Sequence, residues 1–572
     1  MADELQKKTS FKLATFSIDV SLISILAVLA GCGIVYEYLL SHYAGRVLGL
    51  MEHAIFTMIG VMIVSMGVGA LLANKIKNAN KGFVVIELLI AFIGSISIVL
   101  IAWIIALSNE FPSILAENYG LPVDLIPVGG GIKTFKQFAK IFPFMVGFVL
   151  GALVGMEIPL IARIREEVYA VRLKHNTGTV YGADYLGAGV GAAIFIIFLL
   201  ATPPAKAALW VSSVNLIVGF LFLIVRWRKI SNNIMLAILH MVLAVFLFLF
   251  MQNISSIHQS LEDTLYTDEV VFSQNTDFQH IILTKRQIGN AAPIHTLYLN
   301  GRSQFCSCDE ALYHAMLVAP PILASARHQN ILLIGGGDGL AVRDILKWQP
   351  QHIDVLELDQ RMVALFSHPI KVDGQVINET LLELNEYSFS DARVNVIIGD
   401  AFNSVNQLIT QGKNYDVIIV DLPDPSHPDL NKLYSKQFYT KLKLLLAGDG
   451  AIAIQSTSPY HAKDAFLTVG LTLRAAGFSF VERYHTNIPT FGEWGWSIAT
   501  LHGQPASSRI ESNSDVIPKE ILISQDFILA SFKFTNGILE SEKRLNYNSI
   551  DNNLMYILHG KSWLNEEIIV GN

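Results

Sequence analysis

Asn330-Ile-Leu-Leu-Ile-Gly335-Gly-Gly337-Asp338-Gly339-Leu-Ala-Val-Arg-Asp-Ile-Leu346 is the stretch that decides the fold of the carboxy-terminal half. Its opening apolar run is that of a strand buried on both faces, and the residues after Gly339 read as a helix. Between them, glycines at 335, 337 and 339 remove Cβ atoms and let a ligand approach the backbone. A dinucleotide fingerprint has its third glycine three positions after the second, in a turn that faces a pyrophosphate. Here the spacing is G-x-G-x-G, and Asp338 sits in the turn. A carboxylate there repels phosphate and favours a cationic or amino group, so the stretch points to an adenosyl-sulfonium ligand; the bland alternative is a structural turn.

Outward from it, acids recur at strand ends. Ile353-Asp-Val-Leu-Glu357-Leu-Asp359 ends in acids placed to accept ribose hydroxyls. Val394-Asn-Val-Ile-Ile-Gly-Asp400-Ala401 ends in an acid that an adenine amino group would meet. Tyr415-Asp-Val-Ile-Ile-Val-Asp421-Leu-Pro-Asp424-Pro425 carries two carboxylates just past its apolar run. Open parallel sheets bind ligands beyond the carboxyl ends of their strands, so these acids are expected in one crevice. Each acid taken singly reads equally well as a helix cap or turn residue; the succession argues for a shared site.

The amino-terminal half differs in kind. The 572 residues are 52% hydrophobic and only 16% charged, with mean hydropathy +0.45, against about 25% charged residues in soluble chains. Seven apolar runs lie before residue 253: Ile18–Leu40, Ala54–Ala73, Phe83–Leu107, Ile141–Ile161, Tyr181–Thr202, Ala207–Val225 and Asn233–Met251. Each is near the roughly 20 residues a helix needs to cross a bilayer. Six runs follow the first, which is not the pattern of a cleaved signal peptide. Gly147, Gly151 and Gly155, and likewise Gly187 and Gly191, repeat at the spacing that lets helix backbones approach closely. Glu37, Glu87, Glu157 and Asp184 lie inside the runs; intramembrane acids point to a cation path or, more plainly, to hydrogen bonds between helices. The net charge of −7 excludes a basic nucleic-acid binder. Cys32, Cys306 and Cys308 build neither a disulfide framework nor a zinc site, and the latter two read as ordinary reduced residues; no metal is expected.

From about Thr267 to Thr500 the sequence resembles the spermidine synthase (polyamine aminopropyltransferase) family. The resemblance is carried by Tyr298-Leu-Asn-Gly301, Gln304, Asp309-Glu310, Tyr313-His314, Gly335–Gly339, Glu357-Leu-Asp359, Gly399-Asp400, Asp421-x-x-Asp424-Pro425, Gln455 and Pro489-Thr-Phe-Gly-Glu-Trp494-Gly495. The helical amino-terminal half is similar to that of a bacterial membrane-attached branch. The implied architecture is a membrane domain over residues 1–252, a small β domain over 265–325, a Rossmann-like, methyltransferase-type α/β domain over 326–505, and a carboxy-terminal extension over 506–572. No chemistry is legible in that extension. The small domain is expected to have strands at Val270–Phe272, His280–Thr284 and His295–Leu299, and its resemblance implies a part in homodimers.

Position by position, the resemblance implies that Gln279 contacts thioadenosine, Glu357 the ribose, and Asp400 and Ala401 the adenine, with Pro428 beside it. His314 and Asp338 line the amine and aminopropyl site, Asp421 accepts a proton, and Asp424 helps to hold the amine. Tyr313, Gly335, Gly337, Gly339 and Gln455 support them; Tyr313 and His314 read alternatively as core aromatics. Asn300, Ala315 and Phe491 depart from the family's aspartate, glutamate and tyrosine, which bears on which amine fits.

The implied reaction moves an aminopropyl group from decarboxylated S-adenosylmethionine, a cosubstrate, to a diamine such as putrescine, with no cofactor. Two other classes compete: a membrane-anchored S-adenosylmethionine-dependent methyltransferase, and a polyamine sensor or transporter without turnover. Lysines and arginines put the amino terminus in the cytoplasm: Lys7, Lys8 and Lys12, then Lys75, Lys77 and Lys81, then Arg163, Arg165, Arg172 and Lys174, then Arg226, Arg228 and Lys229. Seven crossings would then set the catalytic half outside, whereas cytosolic substrates require it inside the cell membrane. The expectation is a cytoplasmic catalytic domain, with the seventh run interfacial or a further crossing within Ser108–Lys140.

Overall fold

The structure is a computed structural model that describes residues 2–48, 51–119, 129–169, 176–200, 202–266, 268–372, 374–513, 516–541 and 544–569. Arg172, Lys174, Thr267 and part of Ser108–Lys140 lie outside the described residues. The chain divides into two compact units, Met1–Val270 and Val271–Asn572.

The first unit is helical: α1 (Ala2–Leu48), α2 (Met51–Ala73), α3 (Ala79–Asn118), α4 (Gly131–Val154), α5 (Glu157–Tyr169), α6 (Asn176–Ile194), α7 (Pro204–Val225) and α8 (Asn233–Leu265). Among the described residues, seven helical stretches are long and apolar enough to cross a membrane, the number expected from the sequence. The seventh, Asn233–Ile254, has a mean hydropathy of 2.8, as high as any of them, so its composition is that of a span. Among the described residues, Ser108–Lys140 holds only the end of α3 and the start of α4. The fourth stretch, Gly131–Tyr169, is broken at Gly155-Met156 into α4 and α5.

The glycine repeats act as their spacing predicts. A Cβ on Gly187 would stand 1.9 Å from the carbonyl oxygen of Ala27 in α1, and one on Gly151 would stand 2.1 Å from Ser65 Oγ in α2. Glycine at these positions lets neighbouring helices approach this closely. Arg165, counted above as a loop charge, is instead buried in α5. Its Nε and Nη2 donate to Asp19 at 2.5 and 3.0 Å, and its Nη1 donates to Asn176 Oδ1 at 2.7 Å.

The second unit opens with a sheet in the order β1 (Glu269–Asn275), β2 (His280–Arg286), β3 (Ile294–Leu299), β4 (Arg302–Cys306). The fourth strand was not foreseen. It follows from Asn300-Gly301, whose φ values of 51° and 78° suit a two-residue hairpin turn. Asn300 Oδ1 also accepts from the His280 N–H at 3.0 Å, which occupies the side chain within the hairpin. Cys306 and Cys308, expected reduced, are joined as a disulfide; two residues of separation bring their Cα atoms to 5.1 Å, a normal bridging distance. Helix α9 (Glu310–Ala324) leads to the main sheet.

That sheet comprises β5 (Asn330–Gly335), β6 (His352–Glu357), β9 (Val394–Ile398), β10 (Tyr415–Asp421), β11 (Leu446–Gln455), β12 (Phe480–Ile488) and β13 (Gly492–Thr500), while β7 (Lys371–Val372) and β8 (Gln375–Val376) form a separate ribbon. Its order is β12-β13-β11-β10-β5-β6-β9. The five strands from β11 to β9 are parallel and β13 is antiparallel to its neighbours. Ile331–Ile334 and Val417–Val420 are fully buried, which explains why β5 and β10 read as unbroken apolar runs instead of alternating ones. Helix α10 (Leu340–Leu346) follows the glycine turn.

Candidate active site

All the parallel strands end at one edge, so Asp400, Glu357, Gly335, Asp421 and Gln455 follow one another along it in strand order β9-β6-β5-β10-β11. The chain runs outward in one direction from β5 to β9 and then returns to the other side of β5. The strand order thus reverses between β5 and β10, which is where such sheets open a crevice. Gly335, at φ 84°, pairs with Asp421 across that point, and a Cβ on it would lie 1.9 Å from the Asp421 carbonyl oxygen. A Cβ on Gly337 would lie 2.8 Å from Glu357 Oε2. The atoms nearest both positions belong to the crevice walls, so these glycines bring the acids together. Gly339 caps α10.

At the β6 side, Glu357 Oε1 accepts from the backbone N–H groups of Leu358 and Asp359, at 2.8 and 3.0 Å. Burial pushes the Glu357 carboxyl up to about 7; those N–H groups oppose the rise, and the charges of Asp359 and Asp338 add to it. Gln279, from the loop before β2, donates to Asp359 Oδ2 at 3.1 Å, which brings it to this end of the crevice. Asp400 does what a capping residue does: Oδ1 accepts from the Asn403 N–H, and Oδ2 bonds to Lys432. Ala401 and Pro428 open the helices Ala401–Thr410 and Pro428–Asn431. Among the described residues, no bond ties Asp400, Ala401 or Pro428 to the central acids.

The centre is formed by Asp338, Asp421, Tyr313 and His314. Tyr313 donates its hydroxyl to Asp421 Oδ1 at 2.8 Å, so it is a partner of the acid as well as a core aromatic. Burial pushes Asp421 up to about 6; the His314 charge and the Tyr313 bond restrain it, while Asp338 raises it further. His314 is 2% exposed, and its Nδ1 lies 2.9 Å from Glu310 Oε2. Burial opposes a charged ring, but Glu310, Asp338 and Asp421 outweigh it and hold His314 at about 9. Glu310 is in turn clasped by Arg343, whose Nη1 and Nη2 donate to its two oxygens at 2.9 and 3.1 Å. Burial would raise the Glu310 carboxyl, yet His314 and Arg343 depress it to about 2. Burial likewise pushes Asp338 up, less the effect of the His314 charge and the Leu340 N–H.

Beyond Asp421, on the β11 side, Asp424 is held by four groups. Gln455 Nε2 donates to Oδ1 at 2.7 Å, and Tyr434 donates to Gln455 Oε1 at 2.8 Å. Thr457 Oγ1 lies 3.4 Å from Oδ2, and His559 Nε2 lies 3.0 Å from it. Arg302 is near enough for its charge to act on Asp424. Burial works against the Asp424 charge, but His559, Gln455 and Arg302 together hold its carboxyl below the ordinary value.

His559 was missed entirely. It is 1% exposed and belongs to the carboxy-terminal helix Leu554–Ile569, in the extension where no chemistry was legible. Asn548 docks that segment: its Nδ2 donates to the carbonyls of Asn431 and Tyr434, and its Oδ1 accepts from the Met555 N–H. No motif marks this histidine. Arg343 left a weaker trace, a cation inside the otherwise apolar start of α10.

The spermine/spermidine synthase domain family matches residues 310–510. A polyamine aminopropyltransferase of Shewanella oneidensis is 47% identical over 95% of each chain. Polyamine aminopropyltransferase 1 of Streptomyces coelicolor is 31% identical over 82% of each. A crystal structure of spermidine synthase in complex with the transition-state analogue AdoDATO aligns at a TM-score of 0.39 and 21% identity, covering 47% of this chain and 86% of that one. At such identity over nearly the whole length, the chain belongs to the polyamine aminopropyltransferases, a family of transferases.

Proposed function

We propose that the crevice transfers the aminopropyl group of decarboxylated S-adenosylmethionine to a diamine such as putrescine, giving spermidine and 5′-methylthioadenosine. The observation that carries this reading is Asp421 at the strand switch, hydrogen-bonded to Tyr313 and flanked by Asp338 and His314. The amine nitrogen attacks the methylene carbon bonded to the sulfonium. As the N–C bond forms, the C–S pair returns to sulfur and the nucleoside leaves as a neutral thioether. An alkylammonium of pKa about 10.4 has no free lone pair at neutral pH, so the nucleophile must lose a proton, and Asp421 is the acceptor. Glu357 and Gln279 hold the ribose end; Asp400, Ala401 and Pro428 form the adenine end. Asp338 would repel the carboxylate of ordinary S-adenosylmethionine, which selects the decarboxylated donor.

Catalysis is assigned to the cytoplasmic face, where both substrates are made; seven crossings then put the amino terminus outside, against the loop charges. One experiment tests reaction and side together. Sealed inverted and right-side-out vesicles containing the full chain are given decarboxylated donor and a panel of diamines, and products are read by mass. Spermidine and methylthioadenosine from inverted vesicles alone are expected. A methylated product overturns the transfer, and turnover only in right-side-out vesicles overturns the side.

Asp424 steadies the acceptor amine, and His559 orients Asp424. His559→Phe keeps the buried volume but loses the hydrogen bond, which is worth about 1.5–3 kcal/mol when one partner is charged. It is expected to raise the acceptor KM about tenfold or more while leaving the donor KM unchanged, and His559→Gln restores the wild-type value. Equal rises in both KM values would mean that the helix is only structural.

A further inference from the structure

Glu87 and Glu157, two of the acids noted inside the apolar runs, come within hydrogen-bonding reach of each other in the first unit. Glu87 belongs to α3, and Glu157 is the first residue of α5, at the break in the fourth membrane stretch. Asn215 Nδ2, from α7, donates to Glu87 Oε2 at 2.9 Å. One turn farther along α7, a Cβ on Gly219 would stand 2.8 Å from Glu87 Cβ and 3.1 Å from His240 Nε2, so His240 of α8 joins the same group. All four side chains are buried, none more than 2% exposed.

Each keeps one buried atom without a partner: Glu87 Oε1, Glu157 Oε1, Asn215 Oδ1 and His240 Nε2. His240 Nδ1 lies 2.8 Å from the Leu236 carbonyl oxygen. A carbonyl only accepts, so Nδ1 carries the proton and Nε2 of the neutral ring is an acceptor. The Asn215 amide nitrogen is already used, which leaves its carbonyl. With the carboxyls ionised, all four open positions are therefore acceptors. Among the described residues no lysine or arginine forms an ion pair with either glutamate. A proton shared between the carboxyls would satisfy a glutamate oxygen, but it would leave Asn215 and His240 as they are.

Buried polar groups are nearly always paired, and ionisable groups at membrane depth mark ligand or ion paths, commonly at broken helices. We propose that Glu87, Glu157, Asn215 and His240 form a second ligand site, which takes a primary ammonium. Such a group brings positive charge and several N–H donors to a lining made only of acceptors. A metal fits less well. Among the described residues, Glu87, Glu157 and His240 do not make a trio with ligand atoms all within 4.8 Å of one another. The unit would thus bind an amine of the class the catalytic unit consumes or releases, an identity that rests on the proposed function; the site itself rests on its lining.

Equilibrium binding of radiolabelled putrescine to the full chain in nanodiscs tests it, with spermidine as competitor to separate substrate from product. Wild type is expected to bind one equivalent more than Glu87→Gln/Glu157→Gln, with transfer activity unchanged in the variant. That difference is independent of what the catalytic unit binds, so failure of the transfer reading is seen separately, as absent turnover in both proteins. No difference overturns the site. Where the double variant does not fold, wild type carries the test. A membrane-permeant carbodiimide should label Glu87 or Glu157, mapped by peptide mass, and putrescine at ten times its Kd should slow labelling about tenfold. Absence of protection, or equal protection by sodium chloride, overturns the ammonium site.

Discussion

Asp421→Asn is expected to fold, to bind 5′-methylthioadenosine as wild type does, and to turn over at least about a hundredfold more slowly, the lower end of what a general base contributes. The side chains are isosteric, and the Asn carbonyl still accepts the Tyr313 hydroxyl that now bonds to Asp421 Oδ1 at 2.8 Å. The proposed ribose end, Glu357 at the end of β6 and Gln279 in the loop before β2, lies on other elements and is untouched. The variant thus removes proton acceptance and little else. The pH dependence has a definite sign. Burial raises Asp421 to about 6, so below that pH it is protonated and cannot take the amine's proton. The kcat/KM of wild type should fall about tenfold per unit on the acid side of about 6, and the variant should lose that limb. Single-turnover rates across pH, with calorimetric binding of the nucleoside, decide it. Near-normal turnover in the variant sinks the assignment.

The strand ends were legible because local chemistry and global topology agree there. A doubly buried parallel strand must be apolar throughout, so Ile331–Ile334 and Val417–Val420 announce themselves, and an acid that follows such a run sits at the crevice edge. The long apolar helices were legible for a similar reason, since crossing a bilayer would demand that length and composition of each. The break at Gly155-Met156 was not, because the apolar pattern continues through it; what marks it is Glu157, read only as an isolated acid. Asp400 caps a helix and bonds to Lys432, interactions that sequence spacing does not distinguish from ligand contact. His559 is the clearest case. It lies 135 residues beyond Asp424, in a helix without a motif, and only tertiary docking through Asn548 gives it a role. Likewise the hairpin at Asn300-Gly301 was present in the letters, but the resemblance drew attention to the missing aspartate instead of to the turn.

Glu310→Gln is expected to cost about 3–5 kcal/mol of stability in the catalytic unit, because it removes one partner from a buried ion network. Glu310 and Arg343 are 4% and 7% exposed, and after the change Arg343 keeps Asp344, the Leu384 carbonyl and at most one bond to the new amide oxygen, with no carboxylate to clasp with both Nη atoms. Proton linkage gives the loss a signature. Glu310 is depressed to about 2 in the folded chain, so its contribution is present above its unfolded value of about 4.3 and vanishes as pH falls from there toward 2. His314 is raised to about 9, so its contribution is present below its unfolded value of about 6.5 and is lost as pH rises toward 9. Urea titrations of the variant should therefore be flatter than wild type in both windows. The same substitution reaches the chemistry indirectly. Without Glu310, the strongest influence opposing burial at His314 is gone, so its ring gives up its proton at lower pH. Asp421 then loses the positive neighbour that restrains it, and its carboxyl rises above about 6. The acid limb of kcat/KM should move to higher pH, whereas a merely destabilised protein would lower activity without moving it. An unmoved limb in folded Glu310→Gln would show that His314 does not set the charge state of Asp421.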